Sequence, residues 1–251
     1  MNNLHRFYAP DLNKEGDELL LSIEESHHLT RVLRLPHGTP VRLFDGCGHE
    51  HLATVKHKDA KKVSVEIGPS IEVNTESTVH VTLAFTTLKG RKTDRIIRDA
   101  TMLGVTAISP ITTSRSLNNV ASPKDHNRWR SISVASAKQC GRAVVPNVNE
   151  FSCLPEFLDT ANQVNGQNLI LVEPSNVPLN MDIKTSESLR AIDRPDTACI
   201  MVGPEGGWTA EEIVQATESN FRPITLGPRT LRAETVPLVA LAILRFAWED
   251  L

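Results

Sequence analysis

The sequence predicts an α/β protein whose C-terminal part contains a parallel sheet, preceded by a small β-rich N-terminal domain. Three observations support this prediction. Residues 79–111 alternate as strand, helix and strand, and such a βαβ unit builds a parallel sheet. Two later apolar runs, Asn168–Glu173 and Ala198–Gly203, have the continuous hydrophobicity of strands that are buried on both faces. Residues 41–67 instead contain short strand-like runs that are separated by polar turns.

The N-terminal region predicts a small β-barrel with one helix. Its predicted strands are Val41–Asp45, Leu52–Lys56 and Val63–Ile67, and apolar spacing predicts a short helix over His27–Leu35. The polar stretch 68–78 has the composition of a domain junction. We therefore expect one domain over residues 1–70 and a second over residues 71–251.

The C-terminal region predicts alternating strands and helices. The expected elements are a strand at 79–87, a helix at 93–103, a strand at 105–111, a helix at 123–139, strands at 168–173 and 198–203, a helix from 209, a strand at 223–226 and a helix at 235–249. Thr209 and Glu212 have the spacing of a capping box, and Thr235 is the expected cap of the last helix. Pro237 is compatible with the first turn of that helix.

Composition and motifs exclude several classes of protein. Hydrophobic residues make up 40% of the 251 residues and charged residues 23%, which is typical of a globular protein. No apolar run approaches the roughly 20 residues of a membrane span, and the first residues lack the apolar core of an export signal. The four cysteines form no CxxC pair, which favours reduced thiols in the cytoplasm over disulfides or zinc. The motifs GxGxxG, GxxxxGK[ST] and GxSxG are absent, and no metal-ligand spacing is present.

Two loops that follow predicted strands are candidates for a ligand site. The first is Gly203–Trp208, with the sequence GPEGGW, and the second is Leu226–Thr235, with the sequence LGPRTLRAET. Ligands of open α/β sheets bind beyond the carboxyl ends of the strands, where both loops should lie. Gly206 and Gly207 allow the backbone to approach a ligand. A lone pair of glycines more often forms a tight turn, but two such loops favour a pocket.

The distribution of charge is uneven along the chain. The formal net charge is −3, yet residues 71–145 carry a net +6 and residues 146–251 a net −8. A basic middle segment is compatible with a face that contacts phosphate groups. By charge alone, solvated helix faces are the more frequent explanation.

The motifs of these loops, with others along the chain, resemble the SPOUT methyltransferases and specifically the RsmE family. The resemblance covers nearly the whole chain, and GPEGG followed about twenty residues later by LGPRxLRxET is its most specific part. The N-terminal residues that carry it are Arg6-Phe7, His28-Leu29, Arg31–Arg34 and Phe44–Gly46. Further matches are Leu103–Val105, Pro110, Arg115-Ser116, Trp129, Gln139–Arg142, Pro146, Val202–Gly207, Leu226–Arg232 and Glu234-Thr235.

The resemblance implies the fold, the cofactor and the reaction. The family has a PUA-like N-terminal barrel, a C-terminal α/β domain with a deep trefoil knot, and a homodimeric assembly. It methylates N3 of a uridine in 16S rRNA, using S-adenosyl-L-methionine bound in a cleft of the knot loops. Carried over to this chain, the cofactor residues are Leu171, Val172, Glu173, Gly203, Pro204, Glu205, Gly206, Gly207, Leu226, Gly227, Pro228, Leu231 and Arg232.

The resemblance also suggests roles for charged residues. Loss of the uridine N3 proton leaves an anion, which a nearby cation stabilises. Arg232 is the expected cation and Glu234 its polar partner near the target, with Glu205 a weaker candidate. Glu234 is equally explained as an acidic residue at a helix N-terminus. The expected phosphate contacts are Arg6, Arg31, Arg34, Lys89, Arg91, Lys92 and Arg95.

Three residues depart from the family pattern. Asp99, Met102 and Lys138 stand where the family usually has Lys, Glu and Glu. The two charge reversals compensate each other if Asp99 and Lys138 face one another, or they mark another RNA target. Two alternatives therefore stay open: a SPOUT methyltransferase acting on a different RNA site, and a catalytically silent RNA-binding factor of ribosome assembly.

Overall fold

The computed structural model describes residues 4–12, 17–58, 62–116, 122–161, 166–176 and 193–250. It divides into two compact units. The first comprises residues 1–76 together with 134–145, and the second comprises residues 77–133 and 146–251. The sequence did not predict that residues 134–145 belong to the first unit.

The first unit contains a five-stranded sheet. Its strands are β1 (Arg6–Tyr8), β2 (Glu18–Leu20), β3 (Pro40–Phe44), β4 (Glu50–Lys58) and β5 (Val63–Ile71), in the order β1-β3-β4-β5-β2. Strand β1 pairs parallel with β3, and the other neighbours pair antiparallel. Within the described residues β1 and β2 form the two edges, so the sheet is an open version of the predicted barrel.

A short helix accompanies this sheet. Helix α1 spans Ile23–His27 and continues as one π-helical turn over His28–Val32. It begins earlier than the predicted helix at 27–35, because the Ser22 hydroxyl caps it by accepting a hydrogen bond from the Glu25 amide at 3.2 Å. Leu29 points into the core of the unit and is fully buried.

The second unit contains a seven-stranded sheet in which all pairs are parallel. Its strands are β6 (His80–Thr86), β7 (Ala107–Thr112), β8 (Asn147–Val148), β9 (Ser152–Cys153), β10 (Gln167–Leu171), β11 (Thr197–Val202) and β12 (Arg222–Ile224). The order is β12-β10-β11-β6-β7-β8, and β9 also pairs with β7. This confirms the predicted α/β fold with a parallel sheet.

The described residues contain five further helices. They are α2 (Lys92–Met102), α3 (Pro123–Cys140), α4 (Leu154–Ala161), α5 (Ala210–Glu218) and α6 (Val236–Ala247). Helix α6 packs against α2 and buries Ala240, Leu241 and Leu244 in the core of the sheet. No helix in the described part of the chain is long and apolar enough to cross a membrane.

The two predicted helix caps differ in outcome. Thr209 caps α5, and the reciprocal bonds of the capping box with Glu212 are both present. Thr235, by contrast, makes no side-chain cap hydrogen bond, so the prediction of a Thr235 cap is wrong. The physical reason is that the chain already turns before α6, because the Thr235 and Val236 amides both donate to the Arg232 carbonyl. Thr235 is therefore helical itself, with φ −92° and ψ −30°.

Candidate active site

A cleft opens at the carboxyl edge of the parallel sheet in the second unit. It encloses about 500 Å³ of empty space including its open mouth. Three segments form its walls: the end of β10 with the residues after it, the end of β11 with the loop after it, and the loop between β12 and α6. The lining residues are Leu171, Val172, Glu173, Pro174, Val202, Gly203, Pro204, Gly207, Trp208, Leu226, Arg229, Thr230, Leu231, Ala233 and Val236.

Trp208 joins two walls of the cleft. Its side chain is 2% exposed, and its indole N–H donates to the Leu171 carbonyl at 2.9 Å. The ring lies against Gly203, where an added Cβ would stand 2.9 Å from two ring atoms of Trp208. Gly203 is therefore required by close packing against the indole, rather than by its backbone conformation.

The loop between β11 and α5 turns sharply through two glycines. Gly207 has φ +69°, a conformation that side chains rarely adopt, and its amide donates to the Pro204 carbonyl at 2.9 Å. Gly206 does not need this freedom, because its φ is not positive and an added Cβ would meet Arg115 at an ordinary 3.5 Å. The conformational requirement therefore lies at Gly207.

The loop after β7 supports this turn from outside the cleft. The Arg115 guanidinium donates to the carbonyls of Gly206 at 3.0 Å and Trp208 at 3.2 Å. The amide and hydroxyl of Ser114 both donate to Glu212 at 2.7 Å, while the other oxygen of Glu212 accepts from the Thr209 amide. Sequence reasoning included Arg115 in the family pattern but assigned it no role; its position just after a strand was the available indication.

Lys92 connects the two predicted site loops. Its ammonium group lies 2.5 Å from Glu205 and 3.6 Å from Glu234, and each of these carboxylates belongs to one loop. The hydrogen bond to Glu205 raises the pKa of Lys92 above its ordinary value. Sequence reasoning predicted Lys92 as a phosphate contact, whereas the structure places it between two carboxylates, which offset its charge.

Glu234 is held in its ionised form. A hydrogen bond from its own backbone amide lowers the pKa of Glu234 and, although desolvation opposes this, Lys92 and then Arg232 lower it further. The group is therefore an anion at neutral pH and a weak proton acceptor. Arg232 is exposed, and its carbonyl accepts the hydrogen bonds that begin α6.

The structure brings most of the predicted cofactor residues together. Eight line the cleft: Leu171, Val172, Glu173, Gly203, Pro204, Gly207, Leu226 and Leu231. Glu205, Gly206, Gly227, Pro228 and Arg232 belong to the same loops but do not line it. Sequence reasoning missed Pro174, Val202, Trp208, Arg229, Thr230, Ala233 and Val236, although each lies next to a predicted residue or within a predicted loop.

The predicted RNA contacts of the first unit divide into two groups. Arg31 and Arg34 are exposed. Arg6 is internal, because its five N–H groups donate to both oxygens of Glu50 and to the carbonyls of Ala137, Lys138 and Arg142. Since no donor of Arg6 is left for a phosphate group, the prediction that Arg6 contacts RNA is corrected: the residue links β1 to the segment 134–145 of its own unit.

The other basic residues that were predicted to contact RNA lie beside α2 or in its first turn. Lys89, Arg91 and Arg95 are exposed, and Arg95 also lies 3.4 Å from Asp99. Lys138, the other residue whose charge is reversed relative to the family pattern, forms an ion pair with Glu25 at 2.6 Å. Asp99 and Lys138 therefore have separate partners, and the proposed compensating pair between them is wrong.

Comparison with known proteins gives the family. A family model described as an RNA methyltransferase domain matches residues 75–245, and one described as an RNA methyltransferase PUA domain matches residues 20–68. The chain is 33% identical over 222 residues to ribosomal RNA small subunit methyltransferase E of Synechocystis sp., covering 88% of this chain and 71% of the relative. The corresponding protein of Bacillus subtilis is 28% identical, with 94% and 93% covered.

Solved structures agree with this comparison. Ribosomal RNA small subunit methyltransferase E of Neisseria gonorrhoeae, bound to S-adenosyl methionine, superposes with a TM-score of 0.84 at 32% identity, covering 98% of each chain. A Legionella pneumophila protein solved with the bound cofactor SAM gives 0.87 at 30% identity, again covering 98% of each chain. The chain belongs to the RNA methyltransferase family whose curated members include ribosomal RNA small subunit methyltransferase E.

Proposed function

We propose that the chain transfers a methyl group from S-adenosyl-L-methionine to N3 of a uridine in 16S rRNA, in the small ribosomal subunit and in the cytoplasm. The observation that carries the proposal is the cleft of the second unit, which lies within the segment matched by the RNA methyltransferase model. Relatives that bind S-adenosyl methionine share the fold over 98% of the chain.

The lining of the cleft suits this cofactor. Leu171, Val202 and Leu231 provide apolar walls for a flat adenine ring, and the backbone at the ends of β10 and β11 provides polar groups for its edges. Glu173 and Arg229 add one group of each charge to the lining, which matches the amino and carboxylate groups of the methionine part. Among the described residues, no cluster of His, Cys, Asp or Glu is arranged to hold a metal ion.

Arg232 and Glu234 are the proposed catalytic residues. S-adenosyl-L-methionine, when bound, supplies a methyl group on a positively charged sulfur for in-line transfer. Holding the target base in line with that methyl group contributes most of the rate, roughly 7–11 kcal/mol in favourable cases. The N3 proton of the uridine leaves to solvent, and exposed Arg232 stabilises the negative charge that this leaves on the uracil oxygens. Glu234 orients Lys92 and accepts hydrogen bonds.

The activity is tested with purified protein, labelled S-adenosyl-L-methionine, and either 16S rRNA or small subunits as substrate. Nucleoside analysis should find 3-methyluridine. Label in another nucleoside would support a related enzyme with a different RNA target. Failure of the protein to bind S-adenosyl-L-methionine in calorimetry would support the silent assembly factor instead.

Arg232→Ala provides the sharper test of mechanism. The single-turnover rate should fall by about 10²–10³ while the dissociation constant of the cofactor stays unchanged, because one preorganised charge is lost. Arg222→Ala, on strand β12 and outside the cleft, is the matched control. An unchanged single-turnover rate in Arg232→Ala would remove this residue from the catalytic role.

Lys92 is proposed to hold the two loops together. Lys92→Met should weaken cofactor binding, because Glu205 and Glu234 would then repel each other across the loops. Lys89→Met, an exposed neighbour, should leave cofactor binding unchanged and weaken only RNA binding. Equal cofactor affinities in the two variants would contradict this role.

RNA binding is proposed for Arg31, Arg34, Lys89, Arg91 and Arg95, which are all exposed. Arg31→Glu combined with Arg34→Glu should weaken RNA binding, and the loss should be larger at low salt because phosphate contacts release counterions. Cofactor binding should stay intact in this double variant. A loss that does not depend on salt would argue against phosphate contacts.

A homodimer is proposed from the surface of α6. Phe246 is 78% exposed, and Val239 and Ile243 on the same helix are only partly buried. Soluble proteins rarely leave a contiguous apolar face uncovered. Light scattering at low micromolar concentration should give twice the monomer mass, and Phe246→Asp should give a monomer. A parent chain that is monomeric and active would exclude this proposal.

The trefoil knot of the family is also proposed here, together with the division into a PUA-like domain at 1–70 and a SPOUT domain at 71–251. The adjacency of the loops 203–207 and 226–232 in one cleft supports the knot. A crystal structure that traces the chain through residues 193–250 would test it directly.

A further inference from the structure

A second cavity opens in the second unit, separate from the first cleft. It encloses about 660 Å³ of empty space including its mouth. Its walls come from β7, from the first turns of α3 and from the segment between β8 and β9. The lining residues are Pro110, Ser122, Pro123, His126, Asn127, Trp129, Asn149, Glu150 and Phe151, and none of them lines the first cleft.

The lining combines flat apolar groups with hydrogen-bonding side chains. Trp129, Phe151 and Pro110 supply apolar surface, while Asn127 and Glu150 are exposed and polar. This combination suits a planar ring with polar edges, because aromatic side chains stack on the ring face and amides or carboxylates pair with its edge.

Trp129 gives an independent indication of a missing partner. Its side chain is 3% exposed, and its indole N–H meets no hydrogen-bond acceptor within the described residues. Buried donors in proteins are nearly always paired, because an unpaired one is costly. By contrast, the indole N–H of Trp208 in the first cleft is paired with a carbonyl. Trp129 is one of the residues that line the second cavity, so an acceptor oxygen or nitrogen on a ligand there is a candidate partner for this donor.

Hydrogen bonds hold the walls of the second cavity in place. His126 Nε2 lies 2.7 Å from the Val148 carbonyl, to which the ring N–H donates. The Asn149 side chain donates to Ser109 at 2.8 Å and accepts from Asn147 at 2.6 Å. The wall is therefore preformed, which lowers the entropic cost of binding.

We propose that the second cavity binds an unpaired RNA base near the methylated nucleotide, and we call it the base pocket. The proposal rests on the proposed function. Strand β7 contributes Pro110 to the base pocket, and β11 ends at the first cleft, with only β6 between the two strands. Neighbouring strands lie about 4.8 Å apart, so Val202 of the first cleft and Pro110 of the base pocket, which stand in register across β6, lie roughly 10 Å apart.

The surroundings of the base pocket suit a nucleic acid backbone. Lys124 and Arg130 are exposed on the same helix, α3, as Asn127 and Trp129. Their charges would attract phosphate groups on either side of an inserted base. A short single strand would then place one base in the base pocket while the target uridine enters the first cleft.

The test compares two base-pocket variants, Phe151→Ala and Asn127→Ala, with the parent. The substrate is an RNA fragment that the parent methylates. Both variants should raise the KM for RNA about tenfold, in line with the loss of one base contact, while the dissociation constant of S-adenosyl-L-methionine stays unchanged. Ser131→Ala, about one turn further along α3 and outside the base pocket, is the matched control and should match the parent.

A second readout locates the contact. A set of RNA fragments carries 4-thiouridine at one position each, beside the target nucleotide. The fragment modified at one particular position should cross-link to the peptide that contains Phe151, and the fragments modified at the other positions should not. Unchanged KM values in both variants, or cross-links that avoid this peptide at every position, would overturn the base pocket. If uridine monophosphate alone saturates the base pocket at the same concentration as the RNA fragment, the proposal of an RNA base pocket would also be overturned, in favour of a mononucleotide site.

The two proposals fail in different ways. If the parent methylates no RNA, the proposed function fails. Fluorescence anisotropy with a labelled single-stranded fragment of 16S rRNA that the parent binds then still tests the base pocket, because Phe151→Ala and Asn127→Ala should weaken RNA binding and Ser131→Ala should not. Because Asn127 is exposed, its truncation should not affect folding, so this variant decides the test even if Phe151→Ala lowers stability.

Discussion

The contact between Gly203 and Trp208 allows one prediction to be worked out in detail. In Gly203→Ala the new methyl group would stand 2.9 Å from the Trp208 ring, closer than real Cβ contacts. Because Trp208 is 2% exposed and packed in a buried cluster, the ring has little room to move. Overpacking of a core typically costs about 1–3 kcal/mol.

Displacement of the ring carries a second cost. The indole N–H would leave the Leu171 carbonyl, and an unpaired buried polar group costs about 1–3 kcal/mol. We therefore expect Gly203→Ala to lose about 2–6 kcal/mol of unfolding free energy in urea and to bind S-adenosyl-L-methionine more weakly. Gly206→Ala is the control, because its Cβ would meet Arg115 at an ordinary 3.5 Å, and it should lose less than about 1 kcal/mol.

A double variant separates the steric cause from a general weakness of the loop. The smaller ring in Trp208→Phe leaves space for the new methyl group, so Gly203→Ala should cost much less in that background than in the parent. Such non-additivity is expected for residues in contact. Additive losses, or equal stability of Gly203→Ala and Gly206→Ala, would refute the packing argument.

Three further predictions concern pH, thiol chemistry and helix capping. Desolvation opposes ionisation of Asp250, but hydrogen bonds from Thr78 and Val79 and the charge of Arg245 outweigh it, so the pKa of Asp250 lies below its ordinary value of 3.8. The ionised Asp250 should therefore stabilise the fold at neutral pH, and this stabilisation should be lost as pH falls below about 4. Thermal melts of Asp250→Asn should lack this pH-dependent loss. Burial raises the pKa of the Cys199 thiol to about 12, so an alkylating reagent at pH 8 should label exposed Cys47 and reach Cys199 only after unfolding. Thr209→Ala should cost about 1 kcal/mol because it removes a formed cap, whereas Thr235→Ala, which removes none, should differ from the parent by much less; equal losses in urea unfolding would contradict the assignment of the caps.

The buried pair of Arg245 and Asp250 shows why the end of α6 matters for the second unit. Arg245 is 1% exposed and donates to the carbonyls of Val79, Leu103 and Gly104 as well as to Asp250. Removal of one member would leave an unpaired buried charge, which typically costs about 3–5 kcal/mol. This network ties the C-terminal helix to the start of β6 and to the turn after α2.

Local patterns in the sequence determined most of the second unit. Apolar runs placed the central strands β6, β7, β10 and β11 within about two residues of their observed ends, because buried parallel strands are continuously hydrophobic. The capping box placed the start of α5. The strands that sequence reasoning missed, β1, β2, β8 and β9, have only two or three residues, which carry no measurable periodicity. The eight-residue helix α4 was also missed.

The loops of the candidate site were also predictable, because glycine and proline motifs after a strand indicate a sharp turn at the carboxyl edge of the sheet. The partners of these loops were not. Lys92 lies 113 positions from Glu205, and Arg115 lies 91 positions from Gly206, so no local pattern relates them. Gly203 illustrates the same limit. The sequence shows a glycine at this position, but only the structure shows that the indole of Trp208 packs where a side chain would otherwise lie.

The tertiary structure alone decided the role of each charge. By sequence, Arg6 and Arg31 are equivalent cations near one end of the chain. In the structure, Arg6 donates all five of its hydrogen bonds within the first unit, while Arg31 is exposed. Lys89 is exposed, whereas Lys92 lies between the carboxylates of Glu205 and Glu234. The role of a charged side chain depends on the partners that folding brings to it, because burying a charge without such partners costs too much free energy. The sequence by itself determined where strands, helices and turns form, and long-range packing determined which of their polar side chains remain available for a ligand.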